Sequence, residues 1–245
     1  MKVLDLTLTS PAENLACDEA LLDAAESGDS GEVLRFWESP AHFVVVGYAN
    51  KVATEVNVAV CAVRGIPILR RCSGGGTVVQ GPGCLNYALV LQILSDGPTR
   101  NISTANQFIM ERNRSALARL ASDFRVPTSD FQVCGHTDLA VGGLKFSGNS
   151  QRRRKHFLLF HGTFLLKFNL AVVSELLPLP SLQPEYRGCR AHGEFIANLN
   201  LPASAVKTAL RDAWGANESA PVKSLKAIPR LVAEKYSKDA WNLKC

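Results

Sequence analysis

Residues 70–86, RRCSGGGTVVQGPGCLN, decide how this chain is read. The apolar run before them, Ile66 to Leu69, reads as a buried strand that delivers the chain into Arg70 and Arg71. Gly74, Gly75 and Gly76 follow, and the turn Gly81-Pro82-Gly83 leads into a second apolar segment, Leu85 to Leu91. Glycine lets the backbone take positive φ and lets a ligand touch the main chain. Arginine presents a planar fork of donors that suits carboxylate and phosphate oxygens. Two readings are open on these residues: a cradle for a charged small molecule, or a tight hairpin between core strands with the arginines in solvent. The stretch is not a P-loop, because no lysine followed by Ser or Thr closes it. Val79 also stands where a dinucleotide fingerprint needs its third glycine.

At 245 residues the chain is long enough for one large domain or two small ones. It shows no repeat and no low-complexity linker, so a single domain over residues 1–245 is expected. A hydrophobic content of 47% with 20% charged residues is that of an ordinary globular protein. No apolar run approaches the roughly 20 residues that span a bilayer. The start, MKVLDLTLTS, carries Asp5 inside its apolar stretch and lacks a signal-peptide layout. A cytoplasmic protein with no membrane partner is expected. The cysteines (Cys17, Cys61, Cys72, Cys84, Cys134, Cys189, Cys245) are odd in number and form no CxxC pair, which argues for reduced thiols and against a zinc site. The net charge of +5 favours an acidic partner but is too scattered to argue nucleic acid. The densest basic run, Arg152 to Lys155, reads as a solvated turn or strand edge.

Along the chain, Ser10-Pro11-Ala12-Glu13 is a helix start with the makings of a capping box, and that helix runs to about Ala25. Val33 to Trp37 and Phe43 to Gly47 read as strands, and Val52 to Val63 as a helix. Ser103 to Ala121 is a second long helix. Phe131 to Val133, Asp138 to Val141 and Leu144 to Phe146 read as short strands, His156 to Leu166 as a longer one. Weaker helices cover Ala203 to Trp214 and Leu225 to Lys235. Strands and helices that do not strictly alternate indicate an α+β fold with a mixed sheet flanked by helices.

A second unusual cluster is TDLAVGGLKFSGNSQRRRKHFLLFHGT, residues 137–163. Lys145 sits there between Gly142, Gly143 and Gly148. On a two-residue alternation it faces opposite to Leu144 and Phe146, so it also reads as a lysine in solvent. With RRCSGGGTVVQGPGCLN, DLAVGGLKFSGNSQ and HGTFLL in order, the chain resembles the lipoate–protein ligase catalytic domain, whose fold is shared with biotin protein ligases and octanoyltransferases. YRGCRAHGEFIANL and the late KYSKDAWN resemble further segments of that family, so the similarity runs from about Leu34 to Asn242.

The resemblance implies a largely antiparallel sheet and an acyl-adenylate chemistry. Lipoate and ATP give lipoyl-AMP, and the acyl group then passes to a lysine on an acidic lipoyl carrier domain. Lys145 matches the family's essential lysine, which holds the carboxylate and the α-phosphate. Arg70, Arg71 and the backbone of Gly75, Gly76, Thr77 and Val78 match the part that wraps the adenylate and acyl head. Asn86 is implied as a polar anchor. The strands around Val44 to Val46 and His161-Gly162 are implied as the lining of an apolar tunnel for the chain of lipoate or octanoate. Mg²⁺ is expected on the ATP phosphates rather than in a protein-built metal site.

Leu144 stands where the family often has an arginine, which removes one cation. Ligases of the family can carry a small domain after the catalytic one, whereas this chain stops at Cys245; a separate small accessory protein is the corresponding expectation for adenylate formation. A rival reading is an ATP-independent octanoyl- or lipoyl-transferase working through a cysteine thioester, with Cys134 or Cys189 as nucleophile. The residues after Cys134 depart from that pattern, which favours the ligase. A non-catalytic acyl- or carrier-binding relative is the third reading.

Overall fold

The computed structural model describes residues 1–124, 131–220 and 225–244; Cys245 lies outside the described residues. Its first helix, α1 (Pro11–Glu26), starts as the sequence predicts. Ser10 Oγ accepts from the Glu13 N–H, and the Glu13 carboxylate accepts from the Ser10 N–H at 2.8 Å, closing the capping box. A large sheet joins β11 (Glu218–Ser219), β1 (Lys2–Asp5), β2 (Val33–Trp37), β6 (Cys84–Gln92), β10 (Phe157–Leu165), β9 (Leu144–Arg153), β8 (Asp138–Val141) and β7 (Phe131–Cys134), in that order. Only the β11–β1 and β1–β2 pairings are parallel, so the sheet is mixed and largely antiparallel, an α+β arrangement as expected. A smaller sheet sets β3 (Phe43–Val46) between β4 (Ile68–Arg70) and β5 (Val78–Gln80).

Period-two alternation on β10 divides the interior. Phe160 and Phe164 join the cluster formed with α4 (Ile102–Asp123) and α7 (Ala203–Trp214), which includes Ile109, Leu117 and Leu210; the short helices α5 (Ala171–Leu176) and α6 (His192–Phe195) come between the two in the chain. Leu159, His161 and Thr163 lie on the other face, where Leu159 packs with α1 and with Phe43 and Val45 of the small sheet. Val44, Val46 and Val79 point away from that layer into a third cluster. Of the expected tunnel strand, Val45 alone therefore faces the large sheet.

The expected strand at Ile66 to Leu69 is β4, shifted to Ile68–Arg70, and three other elements differ from the sequence expectations. Val52 to Val63 is two helices, α2 (Val52–Glu55) and α3 (Val58–Val63), because Val56 is buried in extended conformation (φ −136°) and the Asn57 N–H donates to Leu176 O at 2.8 Å. The strand at Leu144 runs on to Arg153, since Ser147 to Arg153 pair continuously with β10. The last predicted helix is α8 (Ile228–Leu231) followed by a five-residue π-turn, Val232–Tyr236. A short helix, α9 (Asp239–Asn242), follows and reaches back to β4.

Candidate active site

Lys145 owes its direction to an irregularity. Across β8–β9, Leu139 is opposite Ser147 but Ala140 is opposite Lys145, so Phe146 is one extra residue on β9. Lys145 and Gly148, three apart, would face opposite sides of a regular strand. The bulge puts both on the face of His161 and Thr163 and leaves Phe146 in the α4 core. A side chain at Gly148 would begin 2.9 Å from Lys145 Nζ, so this glycine is the space the lysine occupies. The ammonium donates to Asp138 Oδ1 at 2.8 Å. Asp138 Oδ2 accepts from the Tyr186 hydroxyl at 2.7 Å. Burial, then the Asp138 charge, raises the Tyr186 pKa, so the phenol remains a donor. The segment after Tyr186 closes over the same spot: Arg190 Nη2 donates to Gly143 O at 3.1 Å and the Ala197 N–H to Lys145 O at 2.9 Å.

Arg71 shapes the glycine loop from within. Its guanidinium is buried and donates to Gly74 O at 2.5 Å and Gly76 O at 2.7 Å. Burial brings its pKa down to about 10, still well above neutral pH. No peptide bond of the described residues is cis. In a trans peptide the C=O and the following N–H point opposite ways. With the carbonyls of Gly74 and Gly76 turned onto Arg71, the N–H groups of Gly75 and Thr77 therefore point away from it. Gly75 has φ +83°, where an L side chain is strained. Thr77 Oγ1 accepts from Asn50 Nδ2 at 3.3 Å, and Val78 begins β5 opposite Val45.

Arg70 goes elsewhere. Fully buried, it donates to the carbonyls of Gly47, Asn50, Trp241 and Lys244 at 2.7–2.9 Å. Its place is in a clasp between the loop after β3 and the last helix, behind the glycine loop.

The glycine loop is tied to β10 by a buried chain. Ser73 Oγ lies 2.6 Å from His161 Nε2, and His161 Nδ1 lies 3.1 Å from Asp18 Oδ2. The other Asp18 oxygen is paired with Arg35. Burial pushes the Asp18 carboxyl up, but Arg35 and then His161 more than reverse this, and its pKa lies below the ordinary value. The connectivity is that of a Ser–His–Asp triad. Ser73 is only 1% exposed, however, and its Oγ also accepts from Arg71 Nε at 3.2 Å, so the chain serves as an anchor. Asn86 and Thr163 are directly paired on the Lys145 face; Asn86 Oδ1 accepts from Thr163 Oγ1 at 2.8 Å, and Thr163 accepts from Gln80 at 2.6 Å. Gly162 opens on the opposite face, filled by Asn149, which reaches Met110 of α4. It does not line the same space as Lys145.

Among the described cysteines, Cys17, Cys61, Cys72 and Cys84 are buried. Burial pushes the thiols of Cys17 and Cys72 up to about 12. Cys134 stands directly opposite Asp138 across the β7–β8 hairpin. Burial, then that carboxylate, raises its pKa. Cys189 is exposed, at φ +59°. Among the described residues no group of three His, Cys, Asp or Glu side chains is placed to hold a metal ion, and no helix is long and apolar enough to cross a membrane.

Asp138, Tyr186 and Ser73, which the sequence reading did not single out, lie inside the motifs it quoted. Asp18 and Arg35 lie outside them, and no spacing marks a buried pair 17 residues apart.

A family model for the lipoyl protein ligase A/B catalytic domain matches residues 10–210. Octanoyltransferase LipM of Exiguobacterium sp. is 25% identical, over 95% of this chain and 94% of its own. A protein of Aeropyrum pernix provisionally named lipoate-protein ligase A is 32% identical, over 76% of this chain and 65% of its own. A solved lipoate-protein ligase A bound with ATP superposes with a TM-score of 0.77 at 25% identity, over 99% of each chain. A bi-partite lipoate protein ligase from Thermoplasma acidophilum, described together with its E2 lipoyl domain, shares the fold with a TM-score of 0.79 at 22% identity, over 99% of this chain and 96% of that one.

Proposed function

The chain belongs to the lipoyl protein ligase A/B catalytic-domain family, and from that membership we propose that it is an ATP-dependent lipoate–protein ligase. In this reading the lipoate carboxylate attacks the α-phosphate of ATP, forming lipoyl-AMP and releasing pyrophosphate. The amine of a carrier lysine then attacks the acyl carbon, and AMP leaves. Both steps gather negative charge at one place, which fixed donors stabilise. Lys145 supplies a cation held in position by Asp138. The outward N–H groups of Gly75 and Thr77 supply backbone donors, with Arg71 acting through the loop it shapes. Asn86, Thr163 and Gln80 form the polar floor beside Lys145, and half-buried Val78, packed on the cluster of Phe43 and Val45, offers apolar surface to an acyl chain. Mg²⁺ would travel with the nucleotide phosphates; Asp138 is already engaged by Lys145 and Tyr186.

The state of the thiols favours the ligase over a transferase. A thioester nucleophile works as a thiolate, and half-exposed Cys134, opposite the carboxylate that holds Lys145, has its pKa raised, not lowered. A second reading, an octanoyltransferase with Cys134 as nucleophile, draws on the position of that cysteine opposite Asp138 and on the relative named for that activity. The test incubates the purified chain with a lipoyl domain and either lipoate plus ATP or an octanoyl-thioester carrier, and weighs the acceptor. Product from free acid and ATP alone supports the ligase. Product only from the thioester, lost in Cys134→Ala, replaces it with the transferase. Preformed lipoyl-AMP as a third donor measures whether adenylate formation needs a further protein.

A further inference from the structure

The cations around the site fall into two kinds. Beside Lys145, Arg187 and Arg190 are turned onto backbone carbonyls, Arg187 Nε on Arg190 O and Arg190 Nε on Arg187 O, both at 3.0 Å. Further along β9, Arg153 donates to the carbonyls of Thr99 and Arg100, and Arg154 pairs with Asp23. Arg152 and Lys51 differ: no carboxylate among the described residues lies within ion-pair distance of either.

Both stand on the rim of the glycine loop. Ser150 Oγ donates to Gly74 O at 2.8 Å, and Arg152 is two residues on along β9, on the same face. The Tyr48 N–H donates to Ser73 O at 2.9 Å, and Asn50, next to Lys51, bonds Thr77. Two cations converge on the Tyr48 ring, Arg152 at 5.6 Å and Lys244 at 3.7 Å from its centroid, while Tyr48 itself is 40% exposed. Like charges gathered on one exposed ring produce a positive patch, and no carboxylate among the described residues forms an ion pair with it.

Resting on the acyl-transfer reading above, we infer that Tyr48, Lys51, Arg152 and Lys244 form the docking surface for an acidic protein domain that offers the acceptor lysine. A lysine side chain is short, so the domain that carries it must seat on a surface adjoining the glycine loop and Lys145. On the Tyr186 flank the arginines are turned onto carbonyls; on the Tyr48 flank Arg152 and the two lysines have no ion-pair partner among the described residues. Complementary charge there would speed encounter and set which way round the carrier arrives.

The experiment is calorimetric titration of an acidic apo lipoyl domain from an E2 subunit into the full chain, with lipoyl-AMP affinity measured in parallel. In the double variant Lys51→Glu, Arg152→Glu the Kd for the lipoyl domain should rise by more than about tenfold, with a shallower salt dependence. Lipoyl-AMP affinity should stay within about twofold of wild type, and Lys155→Glu, at the far end of the hairpin, should bind the domain like wild type. The inference is overturned if the wild type does not bind the acidic domain or if the double variant binds it as wild type does. It is equally overturned if Lys155→Glu loses as much, or if lipoyl-AMP affinity falls in step. Binding is read here without turnover. A chain that binds the domain at this rim but never acylates it would refute the acyl-transfer reading and leave the docking surface standing.

Discussion

Arg71 in the glycine loop and Lys145 on β9 are both cations among glycines. Arg71 gives its forked donors to the carbonyls of Gly74 and Gly76, whereas Lys145 gives one donor to Asp138 and keeps two. The first arrangement fixes the shape of a backbone, and what a ligand would meet is amide N–H. The second leaves a charge at a fixed point with donors free for a ligand. A cation beside glycines in a sequence therefore does not by itself indicate contact with a ligand; what its partner is decides that.

The comparison is broken most sharply at Lys145. Lys145→Met should lower acyl transfer by at least about a thousandfold, by loss of a charge placed for the reacting oxygens. Its thermal midpoint should hold, because a partly exposed ion pair contributes only about 0–1 kcal/mol. Parallel loss of activity and of midpoint would make Lys145 a structural residue. Arg70→Met should behave in the reverse manner. It leaves several buried carbonyls without a donor, and we expect about 3 kcal/mol of lost stability, with folded protein keeping most of its activity. Chemical denaturation with activity measured on the folded fraction checks it.

Gly75→Val tests the loop between these extremes. Its Cβ would start 3.0 Å from Arg71 Nη2 at φ +83°, a strain of about 1–2 kcal/mol that falls on the outward amides. Affinity for a lipoyl-AMP analogue should drop more than stability does, and equal losses would return the loop to a purely structural role. Asp138→Asn should lower kcat about tenfold by loosening Lys145, with the midpoint unchanged; Tyr186→Phe should do less. Least of all, Cys134→Ala should remain within about twofold of wild type. Near neutral pH, iodoacetamide should label exposed Cys189 before Cys134, whose raised pKa keeps it a thiol until the medium is more alkaline.

What was legible in the sequence was local. The Ser10–Glu13 box and the positive φ of Gly75 are short-range features, and each lies where it was expected. What was not legible depends on residues far apart. The alternation around Lys145 is reset by one bulged residue whose presence only the partner strand reveals. His161 finds Asp18 from 143 residues away, and Arg70 finds the Trp241 carbonyl from 171. Arg70 and Arg71 are neighbours of one type, and the sequence offers no means of telling the one that faces the loop from the one that faces the last helix.

The clasp at Arg70 also fixes an order of events during synthesis. β4 is an edge strand, and the Arg70 N–H and C=O are met by Asn242 Oδ1 at 3.0 Å and Trp241 Nε1 at 2.9 Å. Domains begin to form while the chain is still emerging from the ribosome, and contacts between distant residues come late. Both sheets can be complete except for β11 before residues 218–219 appear, but the strand that leads into the glycine loop keeps a bare edge until residues 241–242 have left the exit tunnel. A nascent chain would thus carry its fold before the strand leading into its glycine loop is braced, and a ribosome stalled within the last helix would display a folded but less stable protein whose β4 edge is still open.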